Sequence, residues 1–214
     1  MTISFFEEFP IKDNFKRLEL INFPTKLYVA AKNLSEFKAI KKNIKNKYVK
    51  EIIYWPILKK KEGYWISPFS ERKALLRMFN ELKDKKDSVM LDLELPTTKN
   101  FFLYLTQFFN FLRNKKKIRD FINNYQGKVY LAEYYPNGKI GETFLKLLGL
   151  HYKSEKPYIL KMFYHSMHDF NEEFFDKEMK RGIKEFKDRF IPCFGTIAVG
   201  IQENEPILSA KQLE

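Results

Sequence analysis

The segment DSVMLDLELP, Asp87 to Pro96, sets two carboxylates two residues apart inside an apolar run. Alternate side chains of a strand face opposite ways, so Val89, Leu91, Leu93 and Leu95 form one face. Met90, Asp92 and Glu94 form the other. An aliphatic face suits a layer of helices, and the acidic pair then points away from that layer at the C-terminal end of the strand.

Working outward, short β-rich runs alternate with longer helical ones along the whole chain. Strands are expected at Ile3 to Phe9, Lys26 to Lys32, Val49 to Leu58, Val89 to Leu95, Lys128 to Tyr135, Tyr158 to His165 and Phe190 to Val199. Helices are expected from Asp13, after Ser35 and Ser70 as N-caps, as one long helix from Asn100, and from Gly141 and Asn171. A βα rhythm of this kind builds a parallel sheet with crossover helices, either open and doubly wound or closed into a (β/α)₈ barrel. EEFPIKDN after the first strand has none of the glycines that cradle a pyrophosphate, which removes the signature of the open, dinucleotide-binding form. The expected fold is therefore an α/β TIM barrel forming one domain over residues 1–214, with seven strands visible. PILSAKQLE reads as a loop, an N-cap at Ser209 and the first residues of a helix, so the eighth strand is expected to be missing or the chain incomplete.

Composition narrows the class. The chain has 214 residues, 44% hydrophobic and 17% aromatic, enough to fill one core and too short to require several. The formal charge of +12 raises nucleic acid or an anionic membrane surface as partner. Yet the runs KKNIKNK, LKKKEG and RNKKKIR lie on or beside amphipathic helical patterns, where lysines coat a solvated face. Nucleic acid is therefore not the expected partner. Cys193 is the single cysteine, which excludes a disulfide within the chain and a cysteine-based zinc site. No apolar run reaches the roughly 18 residues of a membrane span, and MTISFFEEFP lacks a basic n-region followed by a long apolar segment. A cytoplasmic location without cofactor or metal is expected. His165 and His168 stand three apart, but no H-E-x-x-H pattern accompanies them.

In a barrel, the ends of the strands carry the chemistry. Asp92 and Glu94 are close enough to shift each other's proton affinity, keeping one protonated while the other is ionised. Glu8, Tyr54, Trp55, Glu133, Tyr135 and His165 end other strands as candidate substrate-binding residues. Aromatic faces beside carboxylates suit sugar rings, whose C–H surfaces stack while their hydroxyls take polar partners. The competing structural readings are a buried salt bridge from the acidic pair to Lys161, a charge-partner role for Glu133, and core packing for Tyr54 and Trp55.

The same stretch resembles the fourth-strand pattern D-x-x-D-x-D-x-E of chitinase-like glycoside hydrolases of family 18, with Asp87, Asp92 and Glu94 in matching positions and Met90 where the second Asp stands. MFYH, Met162 to His165, is similar to the family's sixth-strand M-x-Y-D, with His165 replacing the Asp. The resemblance implies a barrel hydrolase acting on an oligosaccharide or small carbohydrate. Glu94 would be the general acid, Asp92 would orient the substrate's acetamido group, and Tyr164 would support that group; no separate protein nucleophile is needed. Two alternatives remain: a barrel enzyme on a phosphorylated metabolite, using CFGTIAVG (Cys193 to Gly200) as an anion site, and an inactive barrel with a basic binding surface.

Overall fold

A computed structural model describes residues 3–96, 101–134, 138–164 and 172–195. The seven expected strands are all present: β1 (Ile3–Glu7), β2 (Thr25–Ala31), β3 (Val49–Pro56), β4 (Val89–Leu93), β5 (Val129–Tyr134), β6 (Tyr158–Tyr164) and β7 (Phe190–Gly195). They form one parallel sheet in the order β1-β2-β3-β4-β5-β6-β7, each strand beside its neighbour in sequence. Between them lie α1 (Lys12–Leu18), α2 (Leu34–Asn43), α3 (Arg72–Leu82), α4 (Phe101–Phe108), α5 (Phe111–Asn124), α6 (Gly138–Leu148) and α7 (Glu172–Phe186). The protein is an α/β structure built on an all-parallel, curled half-barrel sheet. The segment after Gly195, where the last crossover helix and Gly200 were expected, lies outside the described residues.

Alternation along the strands divides the apolar side chains into two layers. Leu27, Val29, Tyr54, Val89, Leu91, Leu93, Val129, Leu131 and Ile159 pack outward against Phe37, Leu75, Met78, Leu82, Ile118 and Ile122 of the helices. Tyr28, Ile53, Trp55, Met90, Tyr130, Leu160 and Cys193 face inward and pack on each other. The curl is visible in that inner layer. Tyr28 on β2 meets Tyr130 on β5 edge to face, with ring centroids 5.4 Å apart. Three strand spacings in a flat sheet would hold these residues roughly 14 Å apart. The sheet must therefore bend its inner face closed, and burying these large rings on one another supplies the apolar gain for doing so.

Several helix boundaries differ from the sequence expectation for local reasons. Asn33, not Ser35, caps α2, its side chain accepting from the Glu36 N–H at 2.8 Å. Ser70 is drawn inward instead of capping α3: its hydroxyl donates to the Trp65 carbonyl at 2.8 Å and accepts from the Ser67 N–H. The single helix expected from Asn100 is two, α4 and α5, separated at Phe109 and Asn110. The Arg72 N–H at the start of α3 donates instead to the Gln107 side chain of α4, at 3.1 Å.

Candidate functional site

Asp92 is the fourth residue of β4 and Glu94 follows the strand's last residue. The aliphatic residues of β4 are consumed by the helix layer, so Met90 and the two acids are left to the inner face. Asp92 is only 5% exposed, and its Oδ1 has no hydrogen-bond partner. Its carboxyl is held well above the usual carboxylate range, first by burial and then by the charges of Glu94 and Glu8. A buried carboxyl oxygen without a donor favours the neutral acid, and Asp92 in that form donates to Glu94. Met90 lies fully buried two residues before it, an apolar group at the position where the resemblance would place a further Asp.

Glu94 is half-buried and pushed up from 4.5 to about 7, chiefly by desolvation. Hydrogen bonds from Tyr134 and Asp92 favour its ionised form and oppose that rise. Glu8, just beyond the end of β1, adds a third acid within electrostatic reach of both. Burial raises Glu8 as well, while a hydrogen bond of 2.9 Å from the Tyr64 hydroxyl lowers it. Three acids from two strands thus converge at the C-terminal end of the sheet, with two tyrosines donating to them.

Trp55 shares this inner face. It stacks on Trp65 with centroids 5.8 Å apart and planes 7° from parallel, and Phe6 meets its edge at 6.1 Å. Its indole Nε1 is buried without a partner. Trp65 is placed by the loop after β3, where the Ile66 N–H donates to the Asp92 carbonyl at 2.9 Å. The sequence did not single out Tyr64 or Tyr134 for the acids; a phenol donor is visible beforehand only as a tyrosine close to a strand end.

Other candidates stand elsewhere. Tyr54 points outward and stacks on Phe37 at 4.9 Å. Glu133 is aligned with Leu93 on β4 and Lys161 on β6, and so takes the helix-facing side with them. There it is wholly buried, bound to the Lys161 ammonium at 2.5 Å and to His151 Nδ1 at 2.7 Å. Lys161 holds its carboxyl below the usual range, with His151 assisting, against the opposing effect of burial. The charge partner of Lys161 is therefore Glu133, not the acidic pair on β4. Tyr164 ends β6; its side chain, and Tyr135, His165 and His168 entirely, lie outside the described residues.

The network around Glu133 continues into the helices. His151 Nε2 stands 3.6 Å from Glu142 Oε1, and Glu142 is also held by Lys146 and Arg181. Donor atoms of Glu142, His151 and Glu185 come within 4.8 Å of one another, a spacing a metal could use. Lys146 and Arg181 already neutralise Glu142, so the geometry is that of a compensated ion-pair network.

No protein-family model, curated protein or solved structure matches this chain. Among the described residues no helix is long and apolar enough to cross a membrane.

Proposed function

We propose that the protein is a barrel hydrolase of the (β/α)₈ kind acting on a carbohydrate, with Glu94 as general acid and Asp92 beside it. The observation that carries this reading is the coupled pair itself. A half-buried glutamate with a pKa of about 7 is divided between donor and acceptor forms at neutral pH, as a group that gives and then retrieves a proton requires. The adjoining Asp92 is buried, carries an unpartnered oxygen, and is tuned to keep a proton when Glu94 has lost its own.

In this reading a glycosidic oxygen approaches Glu94, which protonates it as the bond to the anomeric carbon breaks. Asp92, whose buried Oδ1 has no partner, acts through the proton it shares with Glu94, and an acetamido group on the sugar would share the positive charge at the anomeric carbon. Water then completes the cleavage, returning its proton to the Glu94 carboxylate. Trp55 and Trp65 are both buried and stacked on each other on the same face, so they back the site rather than offer a platform to the sugar. Met90 replaces a carboxyl relay with an apolar contact, so the position of Asp92 depends on Glu94.

The test is turnover of a panel of aryl glycosides, N-acetylated and not, by the wild type and by Glu94→Gln. The amide keeps the shape and cannot donate the acid proton, so kcat should fall by about 10²-fold or more. Undiminished turnover by a folded Glu94→Gln protein removes Glu94 from the chemistry, and absence of turnover across the panel by the wild type counts against carbohydrate as the substrate class.

A further inference from the structure

The helix α4 is oriented against its own composition. Among the described side chains of FFLYLTQF the buried ones are Leu103 and the polar Gln107, which accepts from the Arg72 N–H. Facing out from α4, from the turn after it and from the start of α5 are Phe102, Leu105, Phe108, Phe109 and Leu112, between 51% and 85% exposed. Together they present apolar surface on the order of several hundred Å², the size at which an exposed patch is often a functional one. The stripe continues on α6, where Ile140, Phe144 and Leu147, spaced at four and three residues, are each more than half exposed. Lys115 ties the two helices together, its ammonium donating to the carbonyls of Lys146 and Leu147 at 2.6 and 3.0 Å, and Leu112 lies one turn before Lys115.

Cations border this surface. A cleft of about 530 Å³ opens beside Phe102, walled on one side by Phe102 and Leu103 and on the other by Lys59, Lys61, Lys73 and Arg77. Arg77 grips Glu62 through two hydrogen bonds, at 2.8 and 3.2 Å, which uses up one of the cleft's two acids. On α5, Arg113 follows Leu112 directly. Among the described residues, Lys61, Lys73, Arg113 and Lys117 form no ion pair.

We infer that this face docks on an anionic phospholipid bilayer. Phe102, Leu105, Phe108, Phe109 and Leu112 enter the boundary between headgroups and acyl chains, and the lysines of the cleft hold headgroup phosphates. Apolar insertion and basic attraction are the two contributions that a stable peripheral attachment combines. A second copy of the chain fits less well, because it would bring two molecules of charge +12 together across a lysine-bordered face. Nucleic acid would leave the leucines without a stacking partner.

The test is co-sedimentation with vesicles of phosphatidylcholine alone and of phosphatidylcholine mixed with phosphatidylglycerol, combined with size-exclusion chromatography. The wild type is expected to sediment with the mixed vesicles, to do so less as salt rises, and to bind pure phosphatidylcholine weakly. Phe108→Ser with Phe109→Ser should lower the partition coefficient about tenfold for each ring removed. Lys61→Glu with Lys73→Glu should abolish the preference for anionic vesicles. All four side chains are at the surface, and unchanged far-ultraviolet dichroism will show that the variants fold. Failure of the wild type to sediment with anionic vesicles overturns the inference. So does binding indifferent to the two phenylalanines, or a wild-type dimer that their loss converts to monomer.

Discussion

Glu94→Gln should make the protein more stable, by an amount that depends on pH. Folding raises the Glu94 carboxyl from 4.5 to about 7, so the folded state binds this proton more tightly than the unfolded state does. Below pH 4.5 both states hold the proton and the group contributes nothing to the difference. As pH climbs to 7 the unfolded chain releases it first, and stability drains away until the folded carboxyl also ionises. Each unit of pKa difference corresponds to about 1.36 kcal/mol, so the gap of about 2.5 units is worth about 3 kcal/mol above pH 7. Glutamine has no proton to lose. Equilibrium urea unfolding of the two proteins should therefore give similar free energies near pH 4 and a variant more stable by about 3 kcal/mol near pH 8. In Tm that is roughly 6 to 12 °C. The difference between the proteins contains Glu94 and its coupling to Asp92 and Glu8, since every other titrating group is common to both. A difference that stays flat across this range would refute the claim that burial holds Glu94 neutral. A variant weaker at every pH would show instead that the folded state needs the carboxylate.

Two further substitutions probe the scaffold. Lys161→Met strands a wholly buried carboxylate beside His151 and should cost about 3 to 5 kcal/mol at pH 7 in urea unfolding. In the wild type, Glu133 is held low and adds stability that is lost as pH falls; in the variant burial prevails and acid becomes favourable, so an unchanged pH slope would contradict the assignment. Adding Glu133→Leu should return much of the loss. Gly182→Ala places a methyl group 2.3 to 2.4 Å from ring atoms of Phe190, and a cost of about 1 to 3 kcal/mol is expected in thermal unfolding. Phe190→Leu in the same chain should relieve it, and equal instability of the double variant would locate the strain elsewhere.

The strands were legible because each is a short β-branched or aromatic run between breakers, and β4 was legible in full because its two faces differ in kind. Val89, Leu91 and Leu93 against Asp92 and Glu94 leave one orientation that buries oil and frees the acids. The helices were less legible where tertiary partners decide. NFFLYLTQFF is almost wholly apolar, yet the buried place opposite α3 is filled by Gln107, whose side chain accepts from the Arg72 N–H. Phe102, Phe108 and Phe109 lie on the exposed side.

Glu133 shows why being at a strand end is not sufficient to place a residue at the mouth of the sheet. In VYLAEY both faces of β5 are largely apolar, so alternation alone does not say which one meets the helices. The answer was present one strand further on. Val129, Leu131 and Glu133 share a face, as do Ile159, Lys161 and Phe163, and each set is two apolar residues and one charge. Opposite charges embedded in matching faces of consecutive parallel strands satisfy each other only if both faces turn the same way, and the register brings Glu133 beside Lys161. The same comparison gives Asp92 no such partner on β5 or β6. Asp92 is aligned with Ala132 and Ala132 with Leu160, so no cation faces it from the next two strands. Burial without a cation raises the Asp92 carboxyl, and beside it the phenols of Tyr64 and Tyr134 donate to Glu8 and Glu94 respectively.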